Sequence, residues 1–289
     1  MKFYIYTLGC KVNTYESNVI KDNLINSGYI LGSEDNSDIY IINTCTVTNT
    51  SDNKSLKVIR RVVKNHPNSI IIAVGCMTQV NSKFLKDLNV SIILGNIGKS
   101  KIVDYIEEYR KTQTSIIAID NIMESKFEDM CLNNFNKTRA FVKIEDGCEN
   151  YCSYCIIPYA RGKVRSKESS VVIKEIENLV KVGHKEIVLT GIHTGHYGAD
   201  LKDYNFSKLL KEIEKIYGLK RLRISSIEIT ELDDEFLDVL KNSKILVDHM
   251  HIPLQSGSDK ILKLMNRKYD KKYFIDKIEK IRSIRPDIS

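Results

Sequence analysis

Three cysteines stand directly behind three apolar runs, and that placement constrains the fold more than any other feature of the chain. Residues 3–8, 38–43 and 69–74 are short stretches rich in Ile, Val and Tyr. They lead into Leu8-Gly9-Cys10, Asn43-Thr44-Cys45 and Val74-Gly75-Cys76. The intervening segments have helical spacing, with Val19, Leu24 and Ile25 in the first and Leu56, Ile59 and Val63 in the second. Pro67 closes the second helix, because it has no backbone N–H to donate. A further strand is expected at 92–94 and a further helix from Ile102, Tyr105, Ile106 and Tyr109. Strands that alternate with helices and are apolar on both faces predict a parallel sheet covered on each side. The strand C-termini of such a sheet share one edge, where open α/β sheets bind ligands. Three thiols 35 and 31 residues apart would converge there, with Gly9 and Gly75 allowing tight turns. The alternative is three buried core cysteines, but those lie within strands and do not recur at three strand exits.

A mixed, polar stretch at about 111–137 follows, and then a second alternation begins. Strands are expected at 140–145, 186–189, 221–225 and 248–253, with helices near 171–182, 206–217, 234–240 and 272–284. Repeated βα units predict a barrel or part of one, and four units do not close it. The expected fold is therefore α/β: an N-terminal open parallel α/β sheet domain (1–125), a linker (126–137) and a partial (βα) barrel (138–289) that stops before closure. A length of 289 residues suits two domains. At 42% hydrophobic residues the chain is not intrinsically disordered. Its longest wholly apolar run, 70–74, falls far short of the ~18 residues of a membrane span. Met1-Lys2-Phe3-Tyr4-Ile5-Tyr6 reads as a strand, not as a signal peptide. Seven cysteines, an odd number, argue for a reducing, cytoplasmic setting in which clustered thiols serve metal or catalysis. The net charge is +7, with 14 Lys+Arg against 12 Asp+Glu in 1–125 and 30 against 25 in 126–289. That excess is compatible with a nucleic-acid substrate without demanding one.

The second cysteine set is denser. Cys148-Glu149-Asn150-Tyr151-Cys152-Ser153-Tyr154-Cys155 follows the strand expected at 140–145, at the end of a barrel where chemistry resides. A structural zinc site wants four ligands, and no fourth Cys or His lies close by in the sequence. A four-iron cluster held by three cysteines leaves one iron open for a small ligand, and iron–sulfur motifs are spacing-specific. His193, His196, His249 and His251 show no metal-ligand spacing and read as polar packing or substrate contacts. Cys131 stands outside both sets. Arg161, Lys163, Arg165 and Lys167 alternate with smaller residues, which in an extended segment gives one basic face suited to a phosphate backbone or simply to solvent.

The C-x3-C-x2-C spacing resembles the cluster motif of the radical S-adenosylmethionine (SAM) superfamily. Thr7-Leu8-Gly9-Cys10-Lys11-Val12-Asn13, Asn43-Thr44-Cys45-Thr46-Val47-Thr48, Gly75-Cys76 with Gln79, and Cys155-Ile156-Ile157-Pro158-Tyr159-Ala160-Arg161-Gly162 narrow the resemblance to the methylthiotransferase family. So do Ser225-Ser226-Ile227-Glu228 and His251-Ile252-Pro253-Leu254-Gln255-Ser256-Gly257-Ser258. The Gly-Cys-Lys-Val-Asn string and residues 158–166 look most like the branch acting on N6-threonylcarbamoyladenosine of tRNA. The resemblance implies two [4Fe-4S] clusters, one on Cys148, Cys152 and Cys155 and an auxiliary one on Cys10, Cys45 and Cys76. It implies that SAM is cleaved to a radical that takes hydrogen from adenine C2. Sulfur would be held at the auxiliary cluster, and a second SAM would give the methyl group. The clusters and SAM would carry the chemistry, with no catalytic side chain named. SAM contacts are expected at Tyr154, Gly191, Ser225 and Gln255. Arg267 could pair a carboxylate or stand as a solvated helix cation. Implied partners are the tRNA anticodon loop at adenosine 37 and an electron donor such as a flavodoxin or ferredoxin, with a monomeric state and no membrane. The resemblance implies that relatives continue with further barrel strands and an RNA-binding C-terminal domain, which are expected to be absent from these 289 residues. The competing readings are a truncated, catalytically impaired iron–sulfur or RNA-binding fragment, and another branch of the family, acting on isopentenyladenosine tRNA or a ribosomal protein.

Overall fold

Isoleucine-rich runs form the middle of a six-stranded, all-parallel sheet. Its elements are β1 (Lys2–Thr7), α1 (Lys11–Asn26), β2 (Ile30–Leu31), β3 (Ile39–Thr44), α2 (Asn49–Asn65), β4 (Ile70–Gly75), α3 (Cys76–Asn81), β5 (Ile92–Leu94), α4 (Ile102–Thr112) and β6 (Ile116–Ala118). The strand order is β2-β1-β3-β4-β5-β6. The computed structural model describes residues 1–133, 135 and 137–289; Asn134 and Asn136, within the expected connection 126–137, lie outside the described residues.

β3 (IYIINT) and β4 (IIIAVG) are buried at every position, because helices cover both faces. Ile41, Ile72, Val74 and Leu94 pack on one face with Ile20, Leu24, Ile102 and Ile106 of α1 and α4. Tyr40, Ile42, Ile71 and Ile93 pack on the other with Ile59 and Val62 of α2. β-Branched side chains suit such a two-sided pleat. α2 begins where Thr48 accepts a hydrogen bond from the Ser51 N–H at 3.1 Å, and it ends at Asn65, before Pro67.

The second alternation forms a three-stranded parallel sheet. Its elements are β7 (Arg139–Lys143), β8 (Glu145–Asp146), α5 (Ile157–Arg161), β9 (Arg165–Ser166), α6 (Ser169–Lys181), β10 (Glu186–Thr190), α7 (Phe206–Ile213), β11 (Arg221–Ile224), α8 (Asp234–Asn242), α9 (Asp259–Leu264) and α10 (Lys271–Ile284). The order is β11-β10-β7, and β8 pairs antiparallel with β9. The strand expected at 248–253 does not form. Leu246 instead makes an isolated parallel bridge to Leu222, and Met250 N donates to Ser289 O at 2.8 Å. Single pairings on each side do not make a ladder.

The chain divides into two compact units, Met1–Cys131 with Tyr159–Gly162, and Leu132–Pro158 with Lys163–Ser289. No helix among the described residues is long and apolar enough to cross a membrane.

Candidate functional site

In the first unit β1, β3 and β4 are parallel neighbours, so Cys10, Cys45 and Cys76 leave the same sheet edge. The turns bring them close. Gly75 has φ +110°, and a Cβ there would meet the Thr44 carbonyl oxygen at 2.6 Å. A Cβ on Gly9 would meet the Cys45 sulfur at 2.8 Å. Asn13, fully buried, ties two strand exits together by donating to Leu8 O at 2.7 Å and Thr44 O at 2.8 Å. The Ser55 hydroxyl donates to Cys45 O at 3.0 Å and accepts from Cys45 N at 3.2 Å. Burial raises the pKa of the Cys10 thiol, with nearby Arg161 opposing and Cys76 reinforcing the rise.

The Cys76 sulfur has two polar neighbours that sequence reasoning missed. Arg161 Nε lies 3.2 Å from it and Asn96 Nδ2 lies 3.5 Å away. Arg161 has no exposed surface. Its guanidinium donates to Glu16 Oε1 at 2.6 Å and Asn13 Oδ1 at 2.7 Å, and Lys99 Nζ reaches Glu16 Oε2 at 2.5 Å. Two cations and a carboxylate thus meet in a buried network beside a sulfur. Asn96 was within reach of the rule that found the cysteines, since it follows the exit of β5.

The basic face expected from Arg161, Lys163, Arg165 and Lys167 is not present. Arg161 closes a helix, and Arg165 sits in β9 against Asp146 at 3.6 Å. Lys167 is paired with Glu175 at 2.5 Å. Lys163 alone of the four is exposed, because the other three neutralise buried acids.

In the second unit the loop 148–155 follows β8. Its backbone turns through left-handed conformations at Gly147 (φ +92°) and Tyr151 (φ +45°). Asn266 Nδ2 steadies it, donating to Asn150 O at 3.2 Å and Tyr151 O at 3.0 Å. All three cysteines are partly buried. Desolvation raises the pKa values of Cys152 and Cys155, with Arg267 opposing it. Tyr154, Gln255 and Arg267 come together: the Tyr154 hydroxyl donates to Gln255 Oε1 at 3.1 Å, and Arg267 reaches that hydroxyl at 2.5 Å. Arg267 is not a solvated cation; its carboxylate partner is the chain's own Glu228, at 2.5 Å. Gly191 follows β10 and Ser225 follows β11, at the C-terminal edge of the β11-β10-β7 sheet. A Cβ on Gly191 would meet Glu145 Oε2 at 2.7 Å. Glu145 is fully buried, which raises its carboxyl pKa to about 8, and its Oε2 accepts from the His193 N–H at 2.7 Å.

The histidines also depart from expectation. His193, His196 and Glu231 bring ligand atoms within 4.8 Å of one another, because chain folding, not sequence spacing, joins positions 193 and 231. Burial opposes a charge on His193, yet its bonds to Cys148 and Glu231 outweigh that and raise its pKa to about 10.

The donor sets test what the cysteines can hold. Tetrahedral zinc with bonds of about 2.3 Å spaces its sulfurs about 3.8 Å apart. Among the described residues neither cysteine trio gathers its sulfurs within 4.8 Å of one another. Each trio offers three thiols, a donor set that would suit a four-iron cluster with one iron left open.

Residues 2–95 match an uncharacterized protein family, UPF0004, and residues 142–288 match the radical SAM superfamily. The threonylcarbamoyladenosine tRNA methylthiotransferase MtaB of Bacillus subtilis is 45% identical over 98% of this chain and 64% of its own length. That of Aquifex aeolicus is 37% identical over 99% of this chain and 70% of its own length. The chain belongs to the radical SAM methylthiotransferase family. It spans about two-thirds of the length of these relatives. A tRNA-2-methylthio-N(6)-dimethylallyladenosine synthase of Clostridium botulinum, another member, is 35% identical over the whole chain and 66% of its own. Among solved structures, the radical SAM methyltransferase TsrM of Kitasatospora setae superposes with a TM-score of 0.65 over 98% of this chain and 65% of its own, at 13% identity. That likeness shows the radical SAM fold.

Proposed function

We propose that this chain methylthiolates N6-threonylcarbamoyladenosine at C2 of the adenine, at adenosine 37 beside the tRNA anticodon, in the cytoplasm. The observation that carries the proposal is the 45% identity to an MtaB protein along a chain whose two cysteine trios sit at strand exits of two α/β units. The identity of 35% to the dimethylallyladenosine synthase is lower, which favours the threonylcarbamoyl branch. In this reading 1–125 is the methylthiotransferase domain, 126–137 a linker and 138–289 the radical SAM core.

Cys148, Cys152 and Cys155 would hold one [4Fe-4S] cluster, and Cys10, Cys45 and Cys76 the other. When bound, a four-iron cluster and SAM supply the radical that activates an unreactive C–H bond. The protein's own work is orientation and charge balance. Asn266 fixes the cluster loop, and the Tyr154–Gln255–Arg267 group offers a phenol ring and amide beside it for an adenine and a polar head. Gly191 and Ser225 present backbone and hydroxyl at the same sheet edge. Arg161 and Asn96 place donors on the Cys76 sulfur, where they offset thiolate charge. tRNA and a one-electron donor of the flavodoxin or ferredoxin class are the partners this chemistry needs.

The test is anaerobic incubation of the iron-loaded chain with SAM, a reductant and tRNA carrying threonylcarbamoyladenosine, followed by nucleoside mass spectrometry. A 2-methylthio derivative of that nucleoside is the expected product. SAM cleavage that leaves the nucleoside unchanged would reject the assignment of substrate.

A further inference from the structure

Three side chains that the cluster reading leaves out converge in the second unit. His193 caps the 3-10 turn Thr194–His196 and His196 ends it, three residues on, so the three-residue repeat stacks them on one side. Their ring centroids are 4.0 Å apart. Glu231 faces them from the 3-10 turn Ile229–Glu231. A reciprocal capping box fixes its carboxylate, with Oε2 accepting from the Glu228 N–H at 3.2 Å. Oε1 is left beside both imidazoles, in contact with His193 Nε2 and 3.8 Å from His196 Nε2. Glycine at 195 makes this approach possible, because a Cβ there would fall on Glu231 Oε2. The side chains of His193 and Glu231 are 5% and 4% exposed, and that of His196 is 40% exposed.

We propose that His193, His196 and Glu231 form a binding site for a divalent transition-metal ion that takes no ligand from either cysteine trio, although His193 touches Cys148 of the second. One ligand atom from each residue lies within 4.8 Å of the others, a spread that bonds of about 2.0–2.2 Å close with small side-chain movements. Two imidazoles and a carboxylate are the donor set of open zinc sites and of non-haem ferrous sites. The remote nitrogen of a metal-bound imidazole almost always has its own partner, and His193 Nδ1 lies 3.7 Å from Cys148 Sγ. The exposed flank of His196 leaves coordination positions for water or a substrate oxygen.

The probe is Co²⁺. The chain is loaded with iron and sulfide, desalted and dialysed against Co²⁺ at equilibrium, and cobalt-edge X-ray absorption identifies the ligands. One cobalt per chain with nitrogen and oxygen neighbours is expected, with binding weakened tenfold or more in His196→Ala and in Glu231→Gln and unchanged in His249→Ala. His196 is partly exposed, so its replacement leaves the fold in place, which circular dichroism checks. Equal cobalt in wild type and His196→Ala, sulfur neighbours only, or no bound cobalt would each overturn the proposal. The difference of one cobalt between wild type and His196→Ala decides it whatever the cysteines hold.

Discussion

Arg161 carries a full charge with no exposed surface, and its surroundings are arranged to hold it. Arg161→Ala leaves Glu16 to Lys99 alone and removes the buried donors to Asn13 and Cys76, so it should cost about 1–3 kcal/mol. Urea unfolding measures this. Arg161→Lys, which keeps the charge but loses the planar fork, should fall between that variant and the wild type. Glu145 makes a prediction of a different kind. Its pKa is raised to about 8 in the fold, from an ordinary 4.5, by burial. The native state then binds more protons than the unfolded chain between those two values, so this group's contribution to stability falls as pH rises from about 5 to 8. Unfolding free energies of the wild type and Glu145→Gln, measured across that range, should differ in slope, with the glutamine variant losing less as pH rises. Equal slopes would place the Glu145 titration elsewhere.

Central, fully apolar strands were legible from sequence, and edge strands were not. β3, β4 and β5 read correctly because two-sided burial demands unbroken apolar runs, even one as short as β5. β2 and β6 are the two edges of the sheet, neither is fully buried, and β6 falls in the polar stretch that read as connection. The segment 248–253 carries strand-like residues, but its backbone partners are residues 227 and 289, which a local pattern does not contain. The strand-exit rule located three cysteines, whereas the Arg161 network and the His193–Glu231 contact join residues 145 and 38 positions apart. The alternating cations 161–167 misled because alternation sets a face only in an extended segment, and here a helix and a short strand interrupt it. The central strands carry a prediction of their own. Ile72 is fully buried in β4, so Ile72→Ala should cost about 2–5 kcal/mol through lost burial and the cavity left. Chemical denaturation checks it.

At the scale of the whole molecule, one α/β unit presents three thiols at three strand exits and the other presents three in the single loop after β8, without a fourth cysteine in either set. That division of six cysteines is what the proposed chemistry requires. The most direct test is iron and sulfide analysis with Mössbauer spectroscopy on the anaerobically reconstituted, chelator-washed chain. It is made on the wild type and on two variants, one with Cys10, Cys45 and Cys76 changed to Ala, the other with Cys148, Cys152 and Cys155 changed. The account predicts about eight irons as two four-iron clusters in the wild type and about four in each variant. A wild type with about four irons, or a variant that keeps all of its iron, would contradict it.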